Sequence, residues 1–139
     1  MINKQKQKKI LVIYGPNLNL LGLLSNKKNK RVTIDRLSSY IKKEAKKNKR
    51  AVTFIQSNSE PEVVNRVQRL RKKIFGIILF PMSWKKSGYV LKETLEILKI
   101  PVITISISGG GGIFKGENNI ASKDIFLSSE EAINKLNLF

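Results

Sequence analysis

Two kinds of hydrophobic pattern alternate along the chain. Residues 10–14 (Ile-Leu-Val-Ile-Tyr) form an unbroken apolar run closed by Gly15-Pro16-Asn17, which predicts a buried strand entering a tight loop. From Thr33 the period lengthens. Ile34, Leu37, Ile41 and Ala45 recur at three and four residues with lysines on the other face, predicting an amphipathic helix capped by Thr33. Residues 52–56 predict a second strand. Ser59-Glu60-Pro61-Glu62 is a capping box with proline in the first turn, ahead of Val63, Val64, Val67 and Leu70. Residues 74–80, closed by Pro81, predict a third strand, and Val90, Leu91 and Leu95 begin a helix ending near Lys99. A fourth strand is expected over 102–107, stopped by four glycines at 109–112. Ile125, Phe126 and Leu127 read as a short fifth strand, with Ser128-Ser129-Glu130-Glu131 capping a final helix to Leu138.

Strands alternating with helices, and apolar on both faces, imply a parallel sheet covered on both sides. The expected fold is α/β, a flavodoxin-like three-layer sandwich with a five-stranded parallel sheet in the order 2-1-3-4-5. Ligands of such sheets bind beyond the carboxyl ends of the strands, near the switch point between strands 1 and 3. Segments 15–19, 81–87 and 106–112 therefore converge on a candidate site. One domain is expected over 1–139, with residues 1–8 as a flexible basic N-terminus. Segments 24–30 and 109–119 are polar or glycine-rich enough to be mobile.

Composition narrows the chemistry. At 139 residues and 41% hydrophobic, the chain can bury one continuous core. It has no cysteine, which excludes disulfides and thiolate sites, and no histidine, which removes the commonest general acid/base and metal ligand. Acid/base work would fall to ten carboxylates, three tyrosines or a perturbed lysine. Glycines 109–112 could nest an anion, but they lack the spacing of a dinucleotide fingerprint. No strand ends in the aspartate that a phosphoacceptor receiver domain requires.

The net charge of +17 raises an anionic partner as one reading. Compositional drift toward lysine, isoleucine and asparagine is the other, and is preferred because the charge is spread along the chain. The densest runs are 4–9, 27–31 and 42–50, and the last reads first as the solvated face of a helix. No nucleic-acid motif accompanies them, and few aromatic residues lie near them, Trp84 and Tyr89 being the nearest to the candidate site, so base stacking has little support. There is no apolar run of the roughly 18 residues that a membrane span needs, and no signal peptide. The expected location is the cytoplasm, or the stroma or matrix if the gene is organellar.

The segment Ile10-Leu-Val-Ile-Tyr-Gly-Pro-Asn-Leu-Asn-Leu-Leu-Gly22 resembles the first strand and active-site loop of the type II 3-dehydroquinate dehydratases. Gln56-Ser57-Asn58 with Glu60, Gly76-Ile77-Ile78 with Pro81, and Ile100-Pro101-Val102-Ile103 followed by Ser108 fall in register with the same family, so the resemblance covers nearly the whole chain. It implies reversible loss of water from 3-dehydroquinate through an enolate, in a shikimate-pathway lyase of twelve subunits without metal or cofactor. A small anionic carboxylate would be the ligand. Twelve copies at +17 would carry about +200, a self-repulsion that argues against the particle unless counterions or an anionic partner screen it.

The resemblance also assigns positions, and most are replaced. Asn17 is the catalytic residue clearly retained, although an Asn in a Gly-Pro-Asn turn also serves to hold the loop through local hydrogen bonds. Leu24 stands at the lid arginine and Asn29 at the tyrosine base. Phe80 stands at an asparagine, Lys86 at a substrate-binding histidine, and Glu93 at an acidic residue facing substrate. Thr104-Ile105-Ser106-Ile107-Ser108-Gly109 matches Glu-x-His-x-Ser-Asn, so Ser106 stands at the proton donor, while Ile107 and Ser108 keep the positions that hold the substrate carboxylate. Glu117 falls where a second arginine is expected. The expected function is a degenerate homologue, silent or repurposed; the alternatives are an active dehydratase with altered residues and a basic anion- or nucleic-acid-binding module.

Overall fold

Five strands carry the fold: β1 (Lys9–Tyr14), β2 (Val52–Gln56), β3 (Ile74–Phe80), β4 (Val102–Ser106) and β5 (Asn119–Ala121). A computed structural model describes residues 8–25 and 31–139. Every neighbouring pair is parallel and the order is 2-1-3-4-5, as the strand and helix alternation predicts. The helices are α1 (Leu21–Leu24), α2 (Ile34–Lys47), α3 (Glu60–Leu70), α4 (Trp84–Ser87), α5 (Tyr89–Leu98) and α6 (Ile125–Leu136), with 3₁₀ turns at Leu18–Leu20 and Gly112–Phe114.

Alternation along each strand sends successive side chains to opposite faces, and each face meets a helix pair. Ile10, Val12, Tyr14, Ile78 and Phe80 pack with Leu37, Ile41 and Ala45 of α2 and with Ala132, Ile133 and Leu136 of α6. On the other face, Leu11, Ile13, Ile77 and Leu79 meet Val63 and Val67 of α3 and Leu91 and Leu95 of α5. Each fully buried aliphatic side chain contributes about 1.5 to 3 kcal/mol over an exposed one, so these two cores hold the helices to the sheet.

The caps of α2 and α3 stand where the sequence places them, but only half of the capping box forms, because Ser59 N–H donates to Ser57 Oγ at 3.0 Å and not to Glu62. Thr33 accepts from Arg36 N–H at 3.2 Å and Ser59 from Glu62 N–H at 3.4 Å. Glu60 turns outward from its own helix. Its Oε2 accepts from Leu91 N–H at 3.0 Å, tying α3 to the first turn of α5.

The chain's last third departs from expectation. Residues 125–127 are the first turn of α6 and not a strand, and Ser128 does not cap it. Asp124 is the cap, its Oδ1 accepting from Phe126 N–H at 2.9 Å and Leu127 N–H at 3.2 Å. Ser128 and Ser129 are buried inside the helix, where Ser129 Oγ donates to Ile125 C=O at 2.7 Å. Three consecutive apolar residues fit a strand or a buried helical turn equally, and the aspartate decides. The true fifth strand, Asn119–Ala121, has one buried side chain, Ile120, and forms because its backbone completes the edge of β4. It lies at the end of segment 109–119, which is also occupied by the 3₁₀ turn at Gly112–Phe114. Among the described residues no helix is long and apolar enough to cross a membrane.

Candidate functional site

At the carboxyl end of β1 the chain turns through Gly15-Pro16-Asn17 directly against the end of β3. Gly15 N–H donates to Phe80 C=O at 2.8 Å. A Cβ at Gly15 would lie 2.6 Å from that oxygen and 2.7 Å from the Pro81 carbonyl, so the glycine is what lets the two loops touch. Asn17 follows in the left-handed region, φ 68°, which asparagine tolerates better than most residues. Its N–H donates to Asn58 Oδ1 at 2.9 Å and its carbonyl accepts from Leu20 N–H at 2.9 Å. The exposed Asn17 carboxamide itself makes no hydrogen bond among the described residues. The expectation that this amide holds the loop is corrected among the described residues, where the backbone of Asn17 and the side chain of Asn58 make those bonds.

The end of β3 is apolar. Phe80 is 0% exposed, its ring centroid 5.4 Å from that of Tyr14, which stacks in turn on Phe54 at 5.8 Å. Tyr14 lies one residue before the turn and would be the nearest phenol able to act as a base. It is buried, however, and its hydroxyl pairs with Ser38 Oγ at 2.8 Å. Burial drives its pKa far above the ordinary phenol value, with Asp35 adding to the rise and the Ser38 hydrogen bond opposing it. Tyr14 is therefore a core phenol that stays protonated.

At the end of β4, Ser106 is 3% exposed and its hydroxyl donates to Asn119 Oδ1 at 3.0 Å. Thr104, two residues earlier on the same face, donates to the same oxygen at 2.6 Å. The two polar side chains on this strand thus converge on one carboxamide from β5. Ile107 is half-buried against the α2 and α6 core, and Ser108 is exposed. Lys85 Nζ donates to the Ser108 carbonyl. The glycine loop then packs down on α4: Gly112 has φ 57°, and a Cβ there would come within 2.1 Å of the Lys85 carbonyl. A Cβ at Gly111 would likewise come within 2.7 Å of Asn119 Cγ. Close packing explains these two glycines without an anion nest.

The remaining assigned positions do not join this cluster. Lys86 is exposed on α4 and Glu93 on α5, and neither enters an ion pair among the described residues. Leu24 ends α1 at 55% exposure. Asn29, with Lys27, Lys28 and Lys30, lies outside the described residues. Glu117 is exposed, and its backbone carbonyl accepts from Lys135 Nζ at 3.1 Å. Two cavities of about 550 and 560 Å³ lie elsewhere: between α5, the start of β4 and the 3₁₀ turn at Gly112–Phe114, and at the amino ends of β1 and β3. Sequence reasoning missed Asn119 and Lys85. The alternation Thr104-x-Ser106 in an otherwise apolar strand was the available signal that a polar partner faced it.

Similarity to known proteins agrees with this layout. Residues 8–112 match the family model described as Dehydroquinase class II. The 3-dehydroquinate dehydratase of Endomicrobium trichonymphae is 35% identical over 101 residues, 73% of this chain and 71% of that protein. That of Aliarcobacter butzleri (strain RM4018) is 32% identical over 109 residues, 78% of this chain and 65% of that protein, so the chain spans just under two thirds of this second relative. The crystal structure of type II dehydroquinase from Propionibacterium acnes shares the fold with a TM-score of 0.79 at 22% identity, covering 95% of this chain and 97% of that one. With the Gly15-Pro16-Asn17 turn, the strand order and the family match in agreement, this chain belongs to the class II dehydroquinase family.

Proposed function

We propose that this chain is a class II dehydroquinase homologue that does not carry out the elimination of water. The observation that carries this reading is Ser106. At the position that the resemblance assigns to the proton donor stands a buried hydroxyl already committed to Asn119 Oδ1 at 3.0 Å. A serine hydroxyl is too weakly acidic to protonate a leaving group unaided, and this one has no free proton to direct at a ligand. The base position is the amide of Asn29, and the lid arginine position is Leu24. Tyr14 does not substitute as base, because burial keeps it protonated. Single acid or base groups contribute about 10² to 10⁴-fold, so replacing both leaves a rate several orders of magnitude below that of an intact site.

Anion binding is the part of the family's site that this reading retains. The backbone N–H groups of Ile107 and Ser108, at the positions that the resemblance assigns to the substrate carboxylate, are what this reading offers to a small anion. The test mixes purified protein with 3-dehydroquinate and follows the absorbance of the conjugated product, beside an active family member. Weak binding without turnover is expected. A rate proportional to protein concentration and saturating with substrate overturns the proposal. The cytoplasm, or an organellar stroma or matrix, is the location that goes with this reading.

A further inference from the structure

The amino-terminal end of the sheet lies opposite the family's site and is ringed by cations. Lys9 N–H donates to the Lys73 carbonyl at 3.0 Å, and Ile10 N–H to the Ala51 carbonyl at 3.0 Å. These bonds bring the entry points of three adjacent strands into one row, at the usual spacing of about 4.8 Å between strands. A cavity of about 560 Å³ opens there, with Lys8, Lys9, Lys72 and Lys73 around Thr53, Leu70 and Ile74. On the other side of β2, a second cavity of about 390 Å³ is lined by Lys42, Lys46, Lys49 and Arg50 beside Ala51 and Val52. Neither lining contains a carboxylate. None of these seven lysines takes part in the ion pairs found among the described residues, which are Glu44 with Lys47, Lys92 with Glu96 and Glu131 with Lys135.

Helix ends account for part of this charge. The carboxyl end of α2 favours cations, and Lys46 and Lys49 answer to it. Lys8 and Lys9 at the entry to β1, and Lys72 and Lys73 in the turn before β3, sit at strand starts where no such requirement exists. The aromatic rings at this end are already faced by cations of the chain: Arg50 lies over Phe75 at 3.7 Å and Lys42 over Phe54 at 5.6 Å. With these rings covered, unstacked bases have little platform to lie on.

We propose that this end of the sheet binds the phosphate backbone of double-stranded nucleic acid, without sequence preference. A duplex presents about one negative charge per 1.7 Å of axis, which matches cations spread over two cavities that flank an edge strand. The surface shares no residue with the dehydroquinase site, so its failure and that of the proposed silence are read separately.

The test uses the full chain and a fluorescently labelled duplex of mixed sequence, as DNA and as RNA, in anisotropy titrations across a salt series. Affinity in the range of about 10⁻⁴ to 10⁻⁶ M, falling steeply with salt, is expected. The double variant Lys46→Glu/Lys72→Glu takes one cation from each cavity and should lose at least about tenfold in affinity, with the log-log salt slope reduced by about 2. Lys115→Glu/Lys123→Glu makes the same change in net charge away from this surface and should bind within about twofold of the unmodified chain. If the first variant melts early, Lys46→Gln/Lys72→Gln carries the same comparison with a smaller perturbation. Equal losses in both double variants, absence of duplex binding, or stronger binding to single strands or to phosphatidylserine vesicles than to duplex each overturns the proposal.

Discussion

Phe80→Asn restores at the end of β3 the residue type that the family resemblance assigns there, and it should unfold much of what it is meant to repair. The ring is 0% exposed and packs on Tyr14 at a centroid distance of 5.4 Å. Truncating a buried phenylalanine costs about 3 to 5 kcal/mol. A carboxamide placed there among Tyr14, Ile78 and the α2 and α6 side chains would be short of partners, adding about 1 to 3 kcal/mol. The sum, about 4 to 8 kcal/mol, is comparable with the whole stability of a domain, about 5 to 15 kcal/mol. In urea titrations followed by far-UV circular dichroism, the midpoint should fall by roughly 2 to 4 M at unchanged slope. Phe80→Leu, close in volume and still apolar, should lose no more than about 1.5 kcal/mol. A loss below about 1 kcal/mol for Phe80→Asn would mean that the position is polar or open, and would refute the reading of this site as converted to core.

Further outcomes follow from single contacts. Tyr14→Phe removes the hydrogen bond to Ser38 at 2.8 Å and should cost about 1 kcal/mol near neutral pH. Because burial raises the folded-state pKa of Tyr14 above the ordinary phenol value of 10.0, its contribution is present below about pH 10 and is lost as pH rises beyond it. The gap between the two proteins in denaturation midpoint should therefore shrink or reverse from about pH 8 to about pH 11, and a gap independent of pH contradicts the burial argument. Asp124→Ala removes the acceptor for Phe126 and Leu127 N–H and should cost about 1 kcal/mol in a thermal melt. No change on Asp124→Ala would mean that this aspartate is not the cap of α6.

How far the fold was legible depended on how much local pattern each element carries. The strand at Ile10, the helix at Ile34 and the helix after Ser59 have a clear period and a clear cap, and they stand where their residues place them. β5 has one buried residue and no period, and it exists through pairing with β4, which local pattern does not encode. Its absence from the sequence reading pulled the apolar triplet at Ile125 into a strand.

At the site, the replaced residue types were readable directly: Leu24, Phe80 and Ser106 are what they are. Their consequences needed three dimensions. Nothing near Ser106 in sequence indicates that its proton goes to Asn119, or that Gly112 presses on Lys85. Asn17 shows the reverse, since sequence suggested a side chain holding its own loop, whereas Asn58, far along the chain, supplies that bond.

The absence of elimination chemistry is tested most directly by incubating the protein with 3-dehydroquinate in deuterated buffer and recording proton spectra over time. One sample reports both halves of the reaction: exchange of the hydrogen beside the ketone needs a base, and appearance of the vinyl signal needs the donor as well. With Asn29, Leu24 and Ser106 in the positions of base, arginine and donor, neither signal should change faster than in buffer alone. Exchange or product that grows in proportion to the protein added would contradict the silence of this site.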